Sequence, residues 1–258
     1  MKSTPFCKFN TGKVYARLSD GDKLLLCDIN ISVQAGKSLA IVGETGSGKT
    51  MTALCMMALL PTNVFAKGAE LMLCDDRISE PVALLGKEIV YIPQNGSEAL
   101  GSTRKIKNIF ADTLKRLGVP KEERAEICEK NLLCVGLSDT KGVLRAYPFQ
   151  LSGGMAQRVC IALALCAEPK LVIADEPTNG LDEKSKNEFF ALLKKSFPGA
   201  AIIIITHDFA LAKCCDDILV IKDGKTEEQG STTEVLSSPK NDYTKALIDC
   251  AFAAHRQK

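Results

Sequence analysis

Tryptophan is absent from this 258-residue chain, aromatic residues amount to 5%, and histidine occurs only at 207 and 255. With so little histidine and no Cys-x-x-Cys pair among eleven cysteines, the ligand spacing of a structural zinc site is missing. No run of 18 or more apolar residues occurs, so no segment is expected to span a bilayer. Residues Met1 to Phe6 contain no apolar stretch of signal-peptide length, and the chain is expected to stay in the cytoplasm. A charge excess is missing too: the formal net charge is +2, which gives no nucleic-acid footprint. No internal repeat, low-complexity tract or long linker interrupts the sequence, so a single continuous module over 1–258 is expected.

What is present is an ordinary soluble composition, 46% apolar and 25% charged. Many of the cysteines, such as Cys55, Cys160, Cys166 and Cys250, lie in apolar runs, where a thiol acts as a small hydrophobe. They are expected to be buried, reduced and structural. The adjacent pair Cys214-Cys215 falls on an expected helix over Phe209 to Asp217, where one of the two must face away from the core.

Three short apolar runs stand out: Ser38 to Val42, Leu171 to Ala174 and Ala201 to Ile205. None alternates, as expected for strands buried on both faces of a parallel sheet. Each ends abruptly in polar residues: Gly43 onward, Asp175-Glu176 and Thr206-His207. Ligands of open α/β sheets bind beyond the carboxyl ends of strands, so the three runs deliver chemistry to one edge. Helical patterning follows Thr50 (Met51 to Leu60, before Pro61), and recurs over Lys121 to Val135 and Gly153 to Ala167. A mainly helical lobe, approximately 97–165, is expected as an insertion in the sheet domain. Short strands near Leu24 to Val33 and Leu219 to Ile221 would form a peripheral β layer, with a hairpin turn at Asp223-Gly224.

The segment Gly43-Glu44-Thr45-Gly46-Ser47-Gly48-Lys49-Thr50 fits G-x-x-x-x-G-K-[ST] between a strand and a helix. Glycines let the backbone turn its N–H groups onto a phosphate, and the helix aims its positive end at the same charge. Lys49 would neutralise β- and γ-phosphates of ATP, and the Thr50 hydroxyl would hold Mg²⁺. Asp175, at a strand end, is the candidate for the second Mg²⁺ contact. Its neighbour Glu176 is placed to polarise an attacking water, and His207 to sense a γ-phosphate oxygen. Leu151-Ser152-Gly153-Gly154-Met155-Ala156-Gln157-Arg158 puts Ser152 at a helix N-cap with two glycines behind it. This is a second anion-binding terminus, and it makes sense if it serves a nucleotide held by another subunit.

The succession of phosphate loop, Gln94, Ser152 to Gly154, Asp175-Glu176, Asn179-Gly180-Leu181-Asp182 and His207 resembles the ATP-binding-cassette (ABC) ATPases. The resemblance implies a P-loop NTPase fold of the α/β class, with a mostly parallel sheet, a peripheral antiparallel β layer and an inserted helical subdomain. It also implies a head-to-tail dimer, homo- or heteromeric, that sandwiches ATP between one subunit's phosphate loop and the other's LSGG segment. Gln94 matches a glutamine that touches Mg²⁺, Tyr15 is the candidate adenine-stacking aromatic, and Asn179 to Asp182 matches a loop that crosses the interface. Small residues more often precede its Leu-Asp. Tyr147-Pro148-Phe149-Gln150, Ile92-Pro93-Gln94-Asn95 and Ser238 to Leu247 resemble the importer ATPases for nickel, dipeptides and oligopeptides. Peptide members usually continue into a cysteine-containing tail, so ending at Lys258 makes this chain more similar to the nickel-type subunits.

The expectation is an ATP-hydrolysing, energy-coupling importer subunit on the cytoplasmic face of the membrane. Its partners would be a second ATPase subunit, membrane-spanning permease subunits and, indirectly, a solute-binding protein. Nickel or another transition metal is the first cargo and peptide the alternative. A non-transport cassette ATPase acting on DNA or ribosomes is the rival class. It would bring a coiled-coil insertion, a second cassette or basic patches, none of which occurs here.

Overall fold

The computed structural model describes residues 6–178 and 182–255. Asn179, Gly180 and Leu181 of the expected interface loop lie outside the described residues, as do Met1 to Pro5 of the N-terminal reading. The chain begins with β1 (Cys7–Asn10), β2 (Lys13–Leu18), β3 (Gly21–Cys27), β4 (Asn30–Val33) and β5 (Ser38–Val42). Then come α1 (Lys49–Met56), β6 (Val64–Lys67), β7 (Glu70–Leu73), β8 (Asp76–Ile78), α2 (Pro81–Leu84) and β9 (Ile89–Ile92). Helices alone follow: α3 (Gly96–Leu100), α4 (Ile106–Arg116), α5 (Arg124–Cys134), α6 (Thr140–Arg145) and α7 (Gly153–Ala164). The chain then returns to β10 (Leu171–Asp175), α8 (Glu183–Ser196), β11 (Ala201–Thr206) and α9 (Phe209–Ala212). It ends with β12 (Asp217–Lys222), β13 (Lys225–Ser231), α10 (Thr232–Ser237) and α11 (Asp242–His255).

The central sheet runs β13-β12-β5-β11-β10-β9, parallel except for β13. Its unalternated runs are explained by two cores, one on each face. In β5, Ala40 and Val42 belong to one core and Leu39 and Ile41 to the other. In β11, Ile202 and Ile204 face the first, Ile203 and Ile205 the second. Strands buried on both sides have no polar face to alternate with. Each fully buried isoleucine adds about 1.5–3 kcal/mol of transfer free energy. The first core is completed by helices: α4 contributes Ile106, Phe110 and Leu114, spaced by one turn each. The second is closed by α1 and by two antiparallel sheets, β4-β1-β7-β8 and β3-β2-β6.

Some sequence expectations change and others hold. Leu24 to Val33 supplies short strands outside the central sheet, as expected, but not to a single layer. The chain breaks at Asp28, φ 50°, and β3 and β4 enter different sheets. Leu219 to Ile221 is not peripheral: β12 lies beside β5 in the central sheet, with Val220 in one core and Leu219 in the other. The expected hairpin turn is present, with Asp223 and Gly224 at φ 46° and 74°. Helix α1 stops at Met56, short of Pro61, because Ala58 takes φ 55° and the N–H of Leu59 returns to Leu54 O at 2.8 Å. That is a left-handed termination without the glycine that usually announces it.

The expected helix to Asp217 is a single turn, and Asp217 opens β12. Cys215 is buried and Cys214 half-buried, its thiol 3.3 Å from Asn187 Oδ1. Cys250 is exposed, against expectation, because α11 turns Thr244 and Ile248 inward and leaves it on the outer face. Burial does push the Cys55 and Cys166 thiols up to about 11 and Cys160 up to about 12. Among the described residues no helix is long and apolar enough to cross a membrane.

Candidate functional site

The expected phosphate loop leaves the end of β5 and enters α1. Gly43, Gly46 and Gly48 have φ of 157°, 85° and 106°. A Cβ at Gly43 would stand 2.2 Å from Ile221 O, so the loop presses against the end of β12. At Gly46 nothing lies within 4 Å of an added Cβ, so that side of the loop is open. Gly48 caps α1 without a side-chain hydrogen bond, leaving its first-turn N–H groups free of a side-chain cap. The Ser47 hydroxyl is buried with no hydrogen-bond partner. Uncapped N–H groups and an orphaned hydroxyl in one loop fit an anionic ligand. Lys49 Nζ folds back onto Gly43 O and Glu44 O, both at 2.8 Å. Burial lowers its pKa, and the charges of Glu176 and Asp175 oppose that shift.

The register of the central sheet brings the other groups level with this loop. Asp175 pairs with Ile205, and Thr206 with Val42. The buried Asp175 carboxylate accepts from the Thr50 hydroxyl at 3.3 Å and from the Tyr91 hydroxyl at 3.1 Å. Burial raises its pKa against those two donors. Glu176 has φ 45°, and its N–H reaches Ile205 O at 2.8 Å. Its carboxylate accepts from the His207 N–H at 3.1 Å and the Thr206 hydroxyl at 3.3 Å. Oε1 of the same carboxylate lies 2.7 Å from His207 Nδ1. Lys49, Thr50, Asp175, Glu176 and His207 therefore form one cluster of an ammonium, a hydroxyl, two carboxylates and an imidazole. Such a cluster can hold a polyphosphate and a hard cation while a carboxylate stays available to water.

Gln94, Tyr15 and Ser152 to Gly154 make no hydrogen bond to that cluster. Gln94 is exposed just beyond β9, the strand next to β10, while the nearby Pro93 carbonyl accepts from Gln157 Nε2 at 3.1 Å. Tyr15 stacks on Phe65, ring centroids 5.6 Å apart, with Lys67 Nζ 5.4 Å from its centroid. Ser152 caps α7, its hydroxyl accepting from Met155 N–H at 3.3 Å, and an added Cβ at Gly153 or Gly154 would meet nothing within 4 Å. Asp182, the one described residue of the expected interface loop, caps α8 by accepting from Ser185 N–H at 2.9 Å. Sequence reasoning missed Tyr91 and Thr206, which hold the two carboxylates. Neither carries a signal of its own, since only sheet order sets β9 and β11 on either side of β10.

Residues 26–179 match the family model described as ABC transporter. Among similar proteins, the oligopeptide transport ATP-binding protein OppD of Salmonella typhimurium (strain LT2) is 35% identical over 252 residues. That alignment spans 89% of this chain and 71% of OppD. The metal-staphylopine import system ATP-binding protein CntD of Staphylococcus aureus (strain NCTC 8325) is 36% identical over 239 residues, 88% of this chain and 87% of CntD. The solved structure of cbiO1 from Clostridium perfringens, part of the ABC transporter complex cbiONQ, superposes with a TM-score of 0.77. It is 26% identical and covers 92% of each chain.

Proposed function

This chain belongs to the ABC transporter family of ATP-binding proteins, and from that premise we propose how its residues bind ATP, hydrolyse it and pass the energy on. It is the ATP-hydrolysing subunit of an importer of this type. Residues Gly43 to Thr50 bind the phosphates, with Lys49 leaving its two carbonyl partners for the β- and γ-phosphates. Thr50 and Asp175, already 3.3 Å apart, and Gln94 would hold Mg²⁺, which neutralises phosphate charge when bound. Glu176 accepts a proton from the attacking water, and His207 orients that carboxylate and meets the γ-phosphate. Tyr15 would stack on adenine. The observation that carries the reading is the cluster of Lys49, Thr50, Asp175, Glu176 and His207 around a loop with an orphaned Ser47 hydroxyl.

Ser152 to Gly154 stand apart from that cluster in the same chain and make no hydrogen bond to it. This supports a head-to-tail dimer in which they close over a nucleotide held by the other subunit. ATP binding then favours the closed dimer, and hydrolysis with phosphate loss reopens it, a population shift driven by contacts to the γ-phosphate. The helical segment between β9 and β10 would pass this motion to a membrane-spanning permease, so the protein works at the cytoplasmic face of the membrane. For cargo, likeness to CntD of a metal-staphylopine import system supports a metal, for which nickel or another transition metal is the first reading, and the nearly equal likeness to OppD supports a peptide as the second. Reconstitution with the permease separates the two by which solute, metal or peptide, stimulates ATPase activity. Lys49→Ala should weaken MgATP binding by about ten- to a hundredfold through loss of a charged hydrogen-bond donor. Unchanged affinity in a titration would refute the site.

A further inference from the structure

The stretch Ser238 to Leu247 has no part in the nucleotide site described above, yet Tyr243 within it reaches the phosphate loop. Its hydroxyl accepts the backbone N–H of Glu44 at 3.3 Å. The peptide unit joining Gly43 to Glu44 is thereby held at both ends. Its carbonyl accepts from Lys49 Nζ at 2.8 Å, and its N–H donates to Tyr243.

Tyr243 is itself firmly placed. Its backbone N–H donates to Asn241 Oδ1 at 2.8 Å, and Asn241 Nδ2 donates to Glu227 Oε2 at 2.8 Å. The Glu228 carboxylate accepts the backbone N–H groups of Lys240 and Asn241 at 2.9 and 3.1 Å. Glu227 and Glu228 belong to β13, so the start of α11 is tied to the edge of the central sheet. Lys222 Nζ, at the end of β12, sits 4.5 Å from the Tyr243 ring centroid and steadies the ring by a cation–π contact. On the other side, Ile221 O leaves no room for a Cβ at Gly43. The first peptide of the loop thus lies between the end of β12 and the first turn of α11. Burial raises the Tyr243 pKa, so the hydroxyl stays a neutral phenol near pH 7.

We propose that Tyr243 is a positioning residue for ATP: it locks the 43–44 peptide so that the loop stays formed when Lys49 turns from Gly43 O to the phosphates. This rests on the function proposed above. Once Lys49 has moved, the Tyr243 hydroxyl is, among the described residues, the remaining side-chain hold on that peptide unit. Without it the peptide is free to rotate, and binding must reorder the loop at a cost in affinity but not in the chemical step.

Tyr243→Phe keeps the ring and the Lys222 contact and removes only the hydroxyl. Calorimetric titration of the full chain with MgATP should give a Kd raised about three- to tenfold, the worth of one hydrogen bond. In steady state KM should rise by the same factor with kcat unchanged, and the melting temperature without nucleotide should fall by no more than about 4 °C, the loss of that one hydrogen bond. Wild-type Kd and KM in the variant overturn the proposal, as does a loss of kcat at unchanged KM. A larger fall in the nucleotide-free melting temperature, enough to account for the weaker binding, also overturns it, by assigning Tyr243 to the fold alone. A wild-type chain that fails to bind MgATP would instead refute the nucleotide site, so the two failures are distinct.

Discussion

Replacing Glu176 by Gln separates the chemical step from everything that prepares it. The Glu176 side chain is 16% exposed and accepts from the His207 N–H and the Thr206 hydroxyl at 3.1 and 3.3 Å. Gln keeps the length, the volume and one acceptor oxygen. The Thr206 hydroxyl can reverse its role and accept from the new amide, while the retained oxygen accepts from the His207 N–H and from Nδ1–H of the matching neutral tautomer. Packing is preserved, and stability should change by less than about 1 kcal/mol. What disappears is a charge and a proton acceptor beside the expected γ-phosphate. General-base assistance is worth about a hundred- to ten-thousandfold in rate, or about 2.7–5.5 kcal/mol of barrier. Lys49 loses one of the two carboxylates that support its charge, and phosphate replaces that support when ATP binds. Phosphate release at saturating MgATP should therefore fall at least about a hundredfold, while nucleotide titration shows retained affinity and sedimentation shows an ATP-held dimer. Turnover within about threefold of wild type would remove Glu176 from the chemistry. Loss of ATP binding would mean that Glu176 helps build the phosphate site rather than acting on water.

Ser152→Arg places a long cation on an exposed helix start that makes no hydrogen bond to its own phosphate loop. ATPase activity should be abolished while the monomer still binds MgATP, and lost binding in a titration would refute the two-subunit site. Asp216 tests the fold: its carboxylate accepts from Lys37 Nζ, Ser38 N–H, Ser38 Oγ and Lys194 Nζ at 2.6–3.0 Å. Asp216→Asn should cost about 2 kcal/mol, read from urea unfolding, because the hydrogen bonds it loses are charge-assisted. Burial pushes the Asp216 pKa up, but the hydrogen bonds from Lys37, Ser38 and Lys194 outweigh it and hold the group well below the ordinary 3.8. A depressed pKa binds protons less readily in the folded state. The contribution is therefore complete above about pH 4 and is lost as pH falls below that toward the folded pKa. The stability gap between wild type and variant should narrow in acid, and a gap that widened there would contradict the assignment.

Much of the site is legible in the sequence because its chemistry is local. Gly43 to Thr50 carries its own turn and cation, and Ser152 to Gly154 its own cap. Both follow from backbone rules that act within a few residues. The three unalternated runs announce strands buried on both sides, since a strand with no polar face has no solvent to meet. Spacing and run length give neither a zinc-ligand pattern nor an apolar stretch long enough to be expected to cross a bilayer.

Pairing and order across the sheet lie beyond that reach. Only the order β12-β5-β11-β10-β9 decides that Thr50 meets Asp175, that Tyr91 holds the other oxygen, and that Leu219 to Ile221 lies in the centre instead of a peripheral layer. Strand neighbours are chosen by which apolar faces fit into two shared cores, a sum over distant residues that no window of sequence contains. The same holds for Ala58, whose left-handed turn ends α1 without a glycine, and for Cys250, left exposed by the way α11 docks. It holds most clearly for Tyr243, which meets Glu44 across 199 residues of chain. The residue types and loops were set locally, by backbone conformation and chemistry. Their assembly into one candidate nucleotide site was set by close packing of the whole domain.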